Sequence, residues 1–178
     1  MKRFLWLIPM AAVIVLDQLT KWLVVTNMNY VESPPHSIPV IDGVLNLTYI
    51  HNDGAAWGMF GGYTWLLISI TIVVMLAGIA LLLKWGLRDK LIFWAAALIL
   101  SGGLGNMIDR IFNDGLVVDF LEFAFIDFPV FNIADCAIVI GAGLIMLSLV
   151  KSIIDEQKQK SKAVVIPVPQ EKNDDENV

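Results

Sequence analysis

Cysteine occurs once and histidine twice in this chain of 178 residues. A single Cys excludes an internal disulfide framework and a four-Cys metal site. His36 and His51 are not spaced four apart on one helix, so an H-E-x-x-H zinc site is excluded as well. Charged residues make up only 16% of the chain, against about 25% in soluble domains. The net charge of −5 argues against nucleic acid as a partner. There is no G-x-S-x-G elbow, and Ser101 lies mid-helix with no His at its depth, so the serine-hydrolase engine is missing. No cofactor motif or metal ligand set is visible. Lys and Arg are absent from 26–62 and from 111–129.

What is present is apolar. Hydrophobic residues are 57% of the chain and the mean hydropathy is +0.72, which predicts a polytopic membrane protein. Crossing a bilayer takes about 20 residues, and four stretches are long enough: roughly 4–25, 63–83, 91–108 and 130–150. The first opens like a signal peptide but carries "DQLTKW" and no small-residue cleavage site, so it reads as a retained span. Lys2 and Arg3 precede it, Lys84, Arg88 and Lys90 lie between the second and third spans, and Lys151 follows the fourth. By the positive-inside rule both termini are cytoplasmic and the two longer loops face outward. Trp6, Trp85 and Trp94 then fall near inner ends, and Trp22 and Trp65 near outer ends, as an aromatic belt requires.

The outer loops carry their own signals. "VIDGVLNLTYIHNDGAAWGMF" places Asp-Gly and Asn-Asp-Gly turns around a β-branched and aromatic run, and "GLVVDFLEF" is a second strand-like stretch. A small β element at the outer surface is expected, with a short interfacial helix at 55–61, the two together covering about 33–62. Residues 1–154 form one catalytic membrane domain in this reading. The polar segment 155–178, with its "IPVPQ", reads as a disordered cytoplasmic tail.

This topology gathers the polar residues of the spans at one depth. Asp17 and Lys21, four apart, share a helix face in the outer half of the first span. Asn106, Asp109 and Arg110 close the third span at its outer end, and Asn132 and Asp135 open the fourth. Asp119 lies in the loop between them, and the second span contributes nothing ionisable and reads as a packing helix. Each has an unremarkable explanation: a neutralised ion pair for Asp17 and Lys21, a snorkelling helix end for Asn106 and Arg110, a solvated loop acid for Asp119, a helix-start acid for Asp135. The glycines of "SGGLG" and "GAG" read as close-packing sites, and His36, His51 and Cys136 as structural or incidental. None of these explains why all the groups meet at one level, where a charge is expensive.

Two neighbouring carboxylates cannot both ionise cheaply, so such a pair shares a proton. That is the engine of an aspartic peptidase: the ionised member takes a proton from water, and the protonated member supports the oxyanion and feeds the leaving nitrogen. Asp119 and Asp135 are the natural pair, one on a loop that can fold over the other on a rigid helix. Asn132 would orient Asp135, Asn106 and Arg110 would brace the site, and Asp17 with Lys21 would fix the first helix. The alternative from another class is a small proton-coupled transporter.

"DQLTK" (17–21), "NDGAAWG" (52–58), "GGLGNMIDR" (102–110), "VVDF" (117–120) and "FNIAD" (131–135) resemble, in this order, the motifs of bacterial lipoprotein signal peptidase, or signal peptidase II. The resemblance covers about residues 10–150. It implies an α-helical integral membrane enzyme with four transmembrane helices, a small extracytoplasmic β element and an interfacial helix, in the bacterial cytoplasmic membrane. It implies an aspartyl endopeptidase that cleaves prolipoproteins just before the diacylglyceryl-modified Cys, with the catalytic pair at Asp119 and Asp135. Asp17, Lys21, Asn52, Asn106, Arg110 and Asn132 then support the site or bind substrate. Membrane lipid and cyclic peptide antibiotics, the latter as inhibitors, are the other implied partners. The turn "IFNDGL" is one residue longer than the family pattern, and Cys136 stands where Ser is common.

Overall fold

A computed structural model describes residues 7–31, 35–54, 59–86 and 89–164. Among the described residues, four helices and three strands follow in the order α1 (Leu7–Asn27), β1 (Ser37–Ile41), β2 (Leu45–Asn52), α2 (Thr64–Leu81), α3 (Lys90–Phe112), β3 (Val117–Phe123) and α4 (Ile133–Val164). A π-helical turn, Leu82–Gly86, prolongs α2. All four helices are long and apolar enough to cross a membrane.

The bundle is organised around α3. Half of its span is buried, against 17–22% for the other three. The reason is its side chains: Ala95, Ala96, Ala97, Gly102, Gly103 and Gly105 are all buried and let neighbouring backbones come close. A Cβ on Gly102 would collide with the Ala134 carbonyl oxygen, and one on Gly105 would sit 2.6 Å from Asp17 Oδ2. Gly141 on α4 is as tight, 2.7 Å from Ile99 on the same test. The glycines read as packing sites thus bring α1 and α4 onto α3, with the exception of Gly143, which faces open space. α2 packs on α3 through Gly78, opposite Leu100, and carries no acid or base into the bundle. Outward-facing Trp22, Val73, Leu76, Val139 and Leu147 are more than half exposed on the surface of the bundle, as suits side chains that face lipid.

The strands form one antiparallel sheet in the order β1-β2-β3. β2 and β3 pair with Ile50 opposite Asp119, His51 opposite Val118 and Asn52 opposite Val117. A bulge between Leu47 and Ile50 bends β2 across the ends of the helices. After β3 the chain doubles back, and Phe131 bridges Leu121, accepting its N–H at 2.8 Å and donating to its carbonyl at 2.9 Å. This fold-back delivers the start of α4 to the middle of β3.

Several expected boundaries move. α1 runs to Asn27 and α3 to Phe112, beyond the expected 25 and 108. The fourth helix begins at Ile133 rather than 130. It also continues to Val164, so residues 155–164 are helical where a disordered tail was expected. Lys, Gln and Glu are good helix formers, and Glu156 pairs with Lys160 one turn on at 2.7 Å. The interfacial helix expected at 55–61 falls largely on 55–58, outside the described residues; 59–62 make turns, with Phe60 at φ 61°. Lys2, Arg3, Trp6, Arg88 and the tail beyond 164 also lie outside the described residues.

Candidate active site

The start of α4 shows how the local sequence builds the site. Asn132 is the N-cap. Its Oδ1 accepts the Asp135 N–H at 3.0 Å, while Asp135 Oδ2 accepts the Asn132 N–H at 3.0 Å. This is a reciprocal capping box written with Asn and Asp. The N–H of Ala134 would remain an orphan of the first turn, but Asp17 Oδ1 accepts it at 2.9 Å. Asp17 therefore joins α1 to the first turn of α4 as well as facing its own partner Lys21.

Lys21 is buried among acceptors. Its Nζ lies 2.9 Å from Asp17 Oδ2, 2.9 Å from Asp109 Oδ2 and 3.0 Å from Asn106 Oδ1. Asp109 in turn accepts the backbone N–H of Val118 at 3.1 Å and Gln18 Nε2 at 2.9 Å. α1, α3 and β3 are thereby pinned together one residue before Asp119. The sequence reading placed Asp109 in the polar cluster but gave it no role, and gave Gln18 none. Asp109 stands one turn beyond Asn106, the only available signal.

Above this ion cluster lies a frame of amides. Asn132 Nδ2 donates to Asp119 Oδ1 at 2.6 Å and to Asn106 Oδ1 at 2.9 Å. Asn106 Nδ2 donates to Asp135 Oδ1 at 2.7 Å. Asn52 Nδ2 donates to Asp119 Oδ2 at 2.7 Å, its own Oδ1 held by the Gly54 N–H at 2.9 Å. All four carboxylate oxygens of Asp119 and Asp135 thus have an amide donor, and Asn132 touches both acids. Arg110 donates from Nη2 to the Gly54 carbonyl at 3.0 Å, while its buried Nε has no hydrogen-bond partner among the described residues.

Asp119 and Asp135 face a common cavity of about 520 Å³. Asn52, Asn106 and Arg110 share its polar end, and Phe123, Phe128 and Val139 are among its apolar walls. Asp119 is 2% exposed. Burial, and secondly the negative charge of Asp135, push its pKa up to about 7 against the pull of the Asn52 and Asn132 donors. A larger hollow of about 710 Å³ lies at the far end of the bundle, between Asp89, Ser148, Lys151 and Glu156. Asp89 is engaged there in capping α3 through Leu91 N (2.7 Å) and holding Ser148 Oγ (2.7 Å), and Glu156 pairs with Lys160.

The eight residues singled out in the sequence thus come together, including Asn52, which is 67 positions from Asp119. His36 and His51 do not approach the acids as a ligand set, and no group of three potential metal ligands occurs among the described residues.

The family model for signal peptidase (SPase) II matches residues 9–151. The chain belongs to the signal peptidase II family. The lipoprotein signal peptidase of Bacillus pumilus is 44% identical over 149 residues, covering 83% of this chain and 91% of that protein. That of Halalkalibacterium halodurans is 43% identical over 153 residues, covering 84% and 92%. Two solved structures of bacterial membrane enzymes, determined by the in meso method, share the fold. One has a TM-score of 0.75 at 35% identity over 83% of this chain and 88% of the other; the second has 0.73 at 36% over 82% and 92%. This chain is therefore a multi-pass bacterial membrane protease of the lipoprotein signal peptidase family, whose work is removing signal peptides from lipoproteins. The transporter alternative is set aside on that ground.

Proposed function

We propose that this protease cleaves prolipoproteins just before the diacylglyceryl-modified Cys, using Asp119 and Asp135 and a water held between them. The observation that carries the reading is the amide frame: a buried Asp119 and a half-buried Asp135 at one cavity end, each oxygen given a donor, with Asn132 common to both. Such a frame fixes the planes of both carboxyls while leaving lone pairs for a water. With burial and the neighbouring Asp135 charge pushing Asp119 up to about 7, the pair can hold one shared proton near neutrality. The ionised carboxylate takes a proton from the water as it attacks the scissile carbonyl. The protonated acid stabilises the oxyanion and then protonates the leaving nitrogen.

The supporting residues act through the frame. Lys21 bonds Asn106 Oδ1, which polarises that amide and strengthens its donation to Asp135. Asp17 holds the first turn of α4 in register with α1. Arg110 pins the Gly54 carbonyl in the cavity wall, where a substrate backbone could lie.

The rest of the reading concerns the bilayer. Lys84, Lys90 and Lys151 lie at the far end of the bundle from the acids, consistent with cytoplasmic termini and a site near the outer leaflet. Apolar walls of Phe123, Phe128 and Val139 suit the lipid-embedded end of a signal peptide and the acyl chains of membrane and substrate lipid. The same cavity is the natural seat for cyclic peptide antibiotics as inhibitors. The test is precursor processing in cells lacking their own enzyme. Asp119→Asn and Asp135→Asn should each abolish it while the protein still inserts and accumulates. A mutant that keeps a large part of the activity removes its residue from the mechanism.

A further inference from the structure

His51 lies outside the acid cluster, one residue before Asn52 on β2. Successive side chains of a strand point to opposite faces, so His51 is turned away from the acids that Asn52 serves. Its ring stacks on Tyr30, centroids 4.5 Å apart and planes 17° from parallel. Its Nε2 shares a hydrogen bond of 2.7 Å with the Tyr49 hydroxyl. Tyr49 meets both other rings edge-on, at 5.5 Å from Tyr30 and 5.2 Å from His51. Tyr49 is also buried in an apolar cluster with Val24 of α1 and Val118 and Phe120 of β3. The three rings thus fasten the segment just past α1 to the last turn-out of β2.

Asn52 needs such a fastening. It is the final residue of β2 and occupies the last rung of the ladder, opposite Val117. Beyond it the chain leaves the sheet, and strand ends open more readily than strand centres. Yet its Nδ2 must stay 2.7 Å from Asp119 Oδ2.

We propose that His51 is a positioning residue for the reaction: clamped by Tyr30 and Tyr49, it holds the end of β2 so that Asn52 keeps its hydrogen bond to Asp119. The inference rests on the reading of Asp119 as a member of the dyad. The groups acting on Asp119 come from every neighbouring element: Asn52 from β2, Asn132 and Asp135 from the start of α4, Lys21 from α1 and Arg110 from α3. Tyr30 and Tyr49 are the rings that meet His51. Of the groups around Asp119, His51 adjoins Asn52 alone. That bond favours the ionised carboxylate, so loosening it makes the dyad hold its proton to higher pH.

The experiment measures kcat and KM of the full-length enzyme in detergent, on a diacylated precursor peptide, across about pH 5–9. His51→Ala should lower kcat about tenfold, the worth of one hydrogen bond in the transition state. KM should change little, and the alkaline limb should move to higher pH. His51→Phe keeps the stack and should recover most of kcat. Tyr49→Phe deletes only the hydroxyl and should match His51→Phe, with a smaller shift in the same direction. If His51→Ala folds poorly, these two conservative variants decide by their pH limbs, because loss of folded protein lowers activity equally at every pH. An unshifted limb in all variants, or an effect on KM alone, overturns the proposal. Asp119→Asn serves as control. Its inactivity beside a His51→Ala enzyme with wild-type kinetics would sink the clamp and leave the dyad standing. Substantial activity in Asp119→Asn would sink the dyad itself.

Discussion

Asp17→Ala tests the scaffold beneath the acids. Asp17 is fully buried and has three partners: it accepts the Ala134 N–H at 2.9 Å, pairs with Lys21 at 2.9 Å and accepts Gln18 Nε2 at 3.2 Å. Truncation orphans a buried N–H, which costs about 1–3 kcal/mol. Breaking a buried ion pair outright costs about 3–5 kcal/mol, but Lys21 keeps Asp109 at 2.9 Å and Asn106 at 3.0 Å, so only part of that applies. The sum is about 3–4 kcal/mol, a large share of the roughly 5–15 kcal/mol that holds a typical domain. Asp17→Asn should recover part of the loss, because it restores an acceptor for Ala134 while turning an N–H toward Lys21 and Gln18. Activity should fall with stability, since the first turn of α4 that Asp17 holds also carries Asp135. The assay is equilibrium unfolding in detergent, followed by Trp fluorescence, alongside turnover. A variant within about 1 kcal/mol of the parent yet inactive would refute the scaffold argument and move Asp17 into contact with substrate.

Other expectations follow from the same geometry. Gly105→Ala should destabilise by about 1–3 kcal/mol through overpacking, because its Cβ meets Asp17 Oδ2 at 2.6 Å. Gly143→Ala, with open space around it, should be neutral or slightly stabilising in the same unfolding assay. Folding stability should depend on pH through Asp119, whose pKa is raised from 3.8 to about 7. The unfolded chain releases that proton first, so stability should be full below 3.8, fall as pH rises toward 7 and level off above it. Melting temperatures in detergent should show this slope in the parent and a flatter one in Asp119→Asn; equal slopes would contradict it. A diacylated precursor should be cut far better than the same peptide with a bare Cys, and equal cleavage would mean that the site reads peptide alone.

Much of the bundle was legible in the sequence because hydrocarbon imposes a simple rule. A span must be about 20 apolar residues with its backbone satisfied internally, and such runs are visible without partners. Polar residues inside them are costly, so Asp17, Lys21, Asn106 and Asp135 stood out by their depth alone. The family followed from five short motifs in order. The end of α4 was less legible, since Lys, Gln and Glu support a helix and a solvated tail equally well. Asp109 went without a role because its work is to hold the N–H of Val118, a backbone group that no side-chain pattern displays.

Residue types, spacing and hydropathy by themselves determined the spans and the level at which the polar groups meet, and the resemblance of five motifs pointed to the family. The tertiary structure alone decided who bonds to whom. Asn52 reaches Asp119 only because β2 and β3 pair in one register, and a slip of one residue would turn its side chain to the other face. Asn132 reaches both acids only because Phe131 folds back onto Leu121. Asp17 meets Ala134 only because Gly102 and Gly105 let three backbones come within reach. Hydrogen bonds act over about 3 Å and in fixed directions, and the elements that bring these groups to that range lie far apart along the chain.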